Sequence, residues 1–127
     1  MKEKLKTTVE EVAIVKNSIG VIINSPIDVD VAVDIERRFS KVIEEIKLVE
    51  KAEQKFIKKY GQQMPDGNIG IKPECVLEYT EQRDKLMQQN IELEYDKILY
   101  STIKEQKIKI SALDINNLKK DFVDFSK

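Results

Sequence analysis

Seven apolar residues between Ile35 and Tyr60 limit what this chain can become. Ile35, Phe39, Val42, Ile46, Val49, Phe56 and Tyr60 follow one another at alternating steps of four and three, with Glu53 the single interruption. That spacing lays one narrow apolar stripe along an α-helix, the kind that packs against another helix. Ile43, Leu48, Ala52 and Ile57 widen the stripe, which implies more than one neighbour. Asp28, Asp30, Asp34 and Glu36 sit at or before the helix's positive end, and Lys55, Lys58 and Lys59 sit near its negative end. Gly61 follows Tyr60 where a left-handed stop is expected. From Asp34 to Tyr60 such a rod is about 40 Å long.

Around this rod the chain in order predicts smaller elements. Thr8 with Glu11 three residues on resembles a capping box and opens a helix from about Val9 to Asn24. From Ile27 to Ile35 two readings compete. The alternation of Ile27, Val29, Val31, Val33 and Ile35 with polar or small residues fits a strand. The helical phase that persists past Ile35 favours a helix starting near Val29 behind Asp28. Pro65-Asp66-Gly67 predicts a tight turn, with 68–71 as a short strand or an arm. Pro73 suits the first position of a helix reaching about Asn90, which folds back on the central rod. Ile91, Leu93 and Tyr95 alternate with acids and read as a half-buried strand, with the preceding helix running through them as the alternative, and Lys107-Ile108-Lys109-Ile110 alternates with lysines and reads as a strand. Ser111 with Asp114 opens a last helix that carries Ile115, Leu118 and Phe122 on one side. The class expected is mainly α (α+β). A long central helix is packed as an antiparallel helical hairpin, flanked by an N-terminal helix, a small β element near the C-terminus and a terminal helix. All of it forms one domain, 1–127, long enough to bury a core without metals or disulfides.

The chemistry available to the chain is narrow. Histidine is absent, which removes Ser-His and Cys-His nucleophile pairs and histidine-bearing zinc sites. The single cysteine, Cys75, cannot pair within the chain and fits a small packed residue better than a reactive thiol. Gly67-Asn68-Ile69-Gly70 lacks the spacing and the lysine of a phosphate-binding loop. A calcium loop centred on Gly67 fails because Met64 and Pro73 fall at ligand positions. Asp28-Val29-Asp30 could hold a divalent cation for nucleotidyl transfer if both carboxylates projected from one strand face. Acids before a helix are common for dipole reasons alone.

A net charge of −1, from 22 basic and 23 acidic residues, supplies no overall field toward nucleic acid or anionic lipid. Lys104, Lys107, Lys109, Lys119 and Lys120 form a small basic group that Glu105, Asp114 and Asp121 dilute. No apolar run approaches a membrane span, and Glu10-Glu11 interrupts any secretory signal after the basic start.

Phe56-Ile57-Lys58-Lys59-Tyr60-Gly61, then Asp66-Gly67-Asn68-Ile69-Gly70-Ile71-Lys72-Pro73-Glu74, and later Ser111-Ala112-Leu113-Asp114-Ile115 carry a resemblance. Over roughly residues 27–125 the chain resembles a family of small uncharacterised proteins encoded by phages and prophages of Gram-positive bacteria. The resemblance implies a phage-encoded accessory protein that works by contacts with other proteins, in the host cytoplasm or built into the virion. The expected function is therefore non-enzymatic, in virion assembly or as a virion component. The alternative is a small inhibitor of a host defence or replication protein, and a remote third is an enzyme using Asp28 and Asp30. No catalytic, cofactor-binding or metal residues, no nucleic acid and no membrane are expected. A homo-oligomer is expected from the stripe of the central helix, which is longer than one partner helix can cover.

Overall fold

Thr8 sets the first boundary. In the computed structural model of the chain, which describes residues 3–118 and 121–126, the Thr8 hydroxyl accepts from the Glu11 amide at 3.4 Å. This satisfies one of the amides a helix start leaves unpaired, and helix α1 runs Val9–Ile23. Just before it, Glu3–Thr8 forms strand β1, an element for which Leu5 alone gives too little alternation to read. Its partner is the strand expected from Ile91, Leu93 and Tyr95. This strand, β4 (Asn90–Tyr95), runs antiparallel to β1 with Leu5 opposite Leu93.

The central stripe is carried by two helices, not one rod. Helix α2 spans Val29–Arg38 and α3 spans Ser40–Tyr60, and Phe39 between them departs from helical geometry at φ −105°, ψ 15°. Helical hydrogen bonds still cross the break, from the Phe39 amide to the Ile35 carbonyl at 3.0 Å and from the Ile43 amide to the Phe39 carbonyl at 2.8 Å. The cause is tertiary. Phe39 is 0% exposed, and its ring meets those of Tyr95 and Phe122 edge-on at 6.4 and 6.0 Å. The Arg38 carbonyl accepts from the Asp96 amide at 3.1 Å, and the Arg38 guanidinium donates to the Lys97 carbonyl at 2.9 Å. A side chain and a strand end inserted at one point bend a helix there. The start of α2 at Val29 resolves the competing readings of 27–35 in favour of the helix.

The stripe is also covered. Ile35, Phe39, Val42, Ile46 and Val49 join Val12, Val15, Ile19 and Ile22 of α1 and Leu93 and Tyr95 of β4 in one core. Ile43 packs against this core and Ala52 is partly buried, as a widened stripe requires, whereas Leu48 and Ile57 are exposed. Glu53, its interruption, donates no apolar contact but accepts from Lys16 of α1 at 3.2 Å. The uncovered stripe that argued for a homo-oligomer is thus occupied within the chain.

Beyond α3 the chain does not stop on a left-handed residue. Gly61 is extended (φ −83°, ψ 154°) and leads straight into strand β2 (Gly61–Gln63), antiparallel to β3 (Ile69–Ile71). Glycine is required for a different reason, because a Cβ there would stand 2.4 Å from the Ile57 carbonyl oxygen. The expected turn closes this hairpin, with Gly67 at φ 88° and Asp66 accepting from the Asn68 amide at 3.0 Å. Pro73 opens a 3-10 turn, Pro73–Cys75, and α4 follows over Val76–Met87, ending before the expected Asn90.

The predicted strand over 107–110 does not form. Lys107 turns left-handed at φ 53° and closes helix α5 (Tyr100–Glu105), with the Ile108 amide bonded to the Ile103 carbonyl at 3.1 Å. The alternation there records burial of Ile108 without strand pairing. Instead β5 (Ile98–Leu99) pairs in parallel with β6 (Val123–Asp124). Helix α6 spans Ala112–Leu118, and its cap is the expected one, with the Asp114 amide donating to the Ser111 hydroxyl at 3.1 Å. Phe122 lies past this helix and packs on Phe39 and Tyr95. The class is α+β, six α-helices and three two-stranded sheets among the described residues.

Candidate functional site

A large apolar side chain left in water is ordinary when single and informative when grouped. Five of this chain's exposed large hydrophobics fall within residues 57–77: Ile57, Met64, Ile69 (60% exposed), Val76 and Leu77 (74%). The fold gathers them at one end, formed by the last turns of α3, the β2–β3 hairpin and the first turn of α4. Ile69 leans into the space that Gly61 leaves empty, its Cγ2 within 3.1 Å of where a Cβ would be. On the other face of the hairpin Met64 lies over Gly70, its Cγ 3.0 Å from the corresponding position. Both glycines therefore let larger side chains lie flat on the ribbon.

Beneath this end the floor is aromatic. Phe56 and Tyr79 meet edge-on at 5.6 Å, and Tyr60 meets Tyr79 at 6.1 Å, holding α4 to the end of α3. Between the two helices runs a groove of about 260 Å³, bounded by Phe56, Ile57, Ile71 and Tyr79 with Glu53 and Arg83 at its polar margins.

Charge changes sign along this stretch of the sequence. Residues 54–72 carry four lysines against one aspartate, whereas residues 73–87 carry four acids against two bases. Lys59 and Glu78 meet at 3.7 Å across the border. The Tyr60 hydroxyl and then the Glu78 carboxylate raise the Lys59 ammonium above its usual 10.5. Among the described residues Lys55, Lys58, Lys72, Glu74, Glu81 and Asp84 form no ion pair. Lys55, Lys58, Glu74, Glu81 and Asp84 are exposed and Lys72 partly so.

The other sequence candidates are separate. Asp28 stands at the N-cap position of α2 without a side-chain capping bond and Asp30 lies in the first turn, so the two are not on one strand face as the dicarboxylate reading required. The Asp28 carboxylate accepts from the Gln106 amide nitrogen at 3.2 Å. No group of three potential ligands is found among the described residues. Cys75 is half-buried at the end of the 3-10 turn. Asp66-Gly67 is a turn. Lys104 lies over the Tyr100 ring at 5.0 Å, Lys107 ends α5, and Lys119 and Lys120 lie outside the described residues.

A second concavity, about 190 Å³, lies where β1, α1 and the segment after α6 meet, with Leu5, Leu93 and Phe122 below and Glu11 and Asp121 at the rim. Beside it the Tyr95 hydroxyl donates to the Asp121 carbonyl at 2.7 Å. Burial first, then the charges of Asp121 and Glu3, push that phenol well above its ordinary 10.0.

The apolar end was not legible from periodicity, because Met64, Ile69 and Leu77 belong to no stripe. A signal was present, namely isolated apolar residues on both sides of a turn. No family model, curated protein or solved structure matches the chain. No helix among the described residues is long and apolar enough to cross a membrane.

Proposed function

We propose that this chain is a non-enzymatic, phage-encoded accessory protein that acts by protein–protein contact, in virion assembly or as a virion component, from the host cytoplasm. The observation that carries the contact reading is the apolar end, where Ile69 and Leu77 are 60% and 74% exposed. A group of this kind marks a binding surface more often than a catalytic one. In this reading α3 and α4 form an antiparallel helical hairpin whose connection, the β2–β3 ribbon, presents the contact residues.

The test is mass spectrometry of purified phage particles produced with the wild-type chain or a Leu77→Asp variant. The wild-type chain is expected in the particles, and the variant is expected to be depleted from them. Recovery of one host protein on the wild-type chain, lost with Leu77→Asp, would assign the inhibitor role instead. Absence from particles together with no partner sensitive to Leu77→Asp would overturn the contact reading.

A further inference from the structure

We infer that the outer edge of β1 takes up one further strand, an extended segment of a partner protein in which two acidic residues flank a large apolar one. Strands β1 and β4 form a ladder of two, so alternate residues of β1 turn their N–H and C=O groups away from β4. Among the described residues no backbone group of 3–7 bonds to anything outside this ladder. The two sides of the ribbon are not alike. On the rung that pairs Leu5 with Leu93, Leu93 is 2% exposed while Leu5 stays partly open. Helix α3 packs against β4. The cavity of about 190 Å³ takes Leu5 and Thr7 from β1 but only Leu93 from β4, and Ile14 on its wall is 48% exposed. The inner face of the ribbon thus runs out of cover beyond β1, where one more strand would lie. Side chains of such a strand point alternately inward and outward. A single apolar one, inward between two outward neighbours, reaches the cavity floor of Leu5, Val12 and Phe122.

The charge of the occupant follows from the register. Lys4 and Lys6 stand on the outer face opposite Glu94 and Glu92, and neither lysine has an ion pair among the described residues. Directly opposed side chains stabilise a ladder when their charges are unlike and destabilise it when they are alike. A second copy of β1 laid along this edge with inner faces aligned sets lysine against lysine in any well-overlapped register. Edge lysines guard a ladder against its own kind in this way. A strand with acids at its two outward positions meets the same lysines with opposite charge. This surface is separate from the apolar end, and the inference goes beyond the contact reading of that end.

The test is a nuclear magnetic resonance titration of the full chain with a five-residue peptide, threonine at both ends and two glutamates flanking a central phenylalanine. Saturable shifts are expected in the amides of β1 and in the methyl groups of Leu5, Ile14 and Val15. The same peptide methylated at its backbone nitrogens is expected not to bind, because an added strand is held by its main-chain hydrogen bonds. Lysines in place of the glutamates are expected to weaken binding about tenfold or more, as two cross-strand attractions become repulsions. Lys4→Thr/Lys6→Thr changes two exposed positions and is expected to abolish that preference with unchanged circular dichroism. No saturable shift at millimolar peptide would overturn the inference. So would equal affinity of the wild-type chain for the two peptides, or undiminished binding of the methylated one. Shifts confined to Met64, Ile69 and Leu77 would place the peptide on the apolar end and sink the strand addition alone.

Discussion

Ser18 and Asp114 join the two ends of the chain's helical layer: the Ser18 hydroxyl, 1% exposed, donates to the Asp114 carboxylate at 2.7 Å. The other carboxylate oxygen accepts from Ser111 at 2.9 Å, and Asn117 donates to Ser18 at 3.3 Å. A single carboxylate thus holds the Ser111 hydroxyl that caps α6 and fastens the helix to α1. Ser18→Ala should cost about 1–2 kcal/mol, since it removes a hydrogen bond to a charged group in a half-buried place. Urea titration measures it, and an unchanged midpoint would deny the fastening.

The same pair makes a pH prediction. The hydrogen bonds from Ser18 and then Ser111 hold Asp114 below its ordinary 3.8. A depressed carboxylate stabilises the fold above its unfolded value and loses that contribution as pH falls through the folded value. The stability gap between wild type and Ser18→Ala should therefore be full at neutral pH and shrink as the pH drops below about 3.8. A gap that is flat down to pH 2 would contradict the coupling.

Phe39→Ala should cost about 3–5 kcal/mol, because it empties a fully buried site between Tyr95 and Phe122. Ile46→Asp, on the same stripe, should cost several kcal/mol by burying an unpaired charge, roughly 3 or more. Thermal melts decide both, and a melting temperature unchanged in either would mean that the core is elsewhere.

Two of the three hairpin glycines, Gly61 and Gly67, should respond differently. Gly61→Ala pushes a methyl group against the Ile57 carbonyl and should destabilise by about 1–3 kcal/mol. Gly67→Ala meets no neighbour within 4 Å and should cost only the left-handed penalty of about 1 kcal/mol.

Tyr95 should resist alkaline titration. Its pKa is raised chiefly by burial, so its contribution to stability is complete below the ordinary 10.0 and is lost as pH climbs from there through the folded value. Ultraviolet titration should show a late-ionising tyrosine phase in wild type that is lost in Tyr95→Phe.

Periodic segments were legible, and so were capped ends. Thr8 and Ser111 cap the helices they were expected to open, and Ile91, Leu93 and Tyr95 make the strand that their alternation predicts. What failed was decided by distant contacts. The break at Phe39 depends on Tyr95, Asp96 and Phe122, none of which is near it in sequence. Lys107 and Ile108 alternate like a strand, but the α5 end claims their amides first. The exposed apolar end escaped periodicity for a related reason, since which apolar residues stay uncovered depends on how the whole chain packs.

The pairing of Glu3 with Tyr95 and of Thr8 with Asn90 has a temporal consequence. A ribosome delivers the first strand long before the one that completes its ladder, and closing so wide a loop costs entropy before any contact repays it. Until Leu93 emerges, Leu5 has no cross-strand mate. The sheet is therefore a late event in synthesis, and the helices must collapse first to bring its edges within reach.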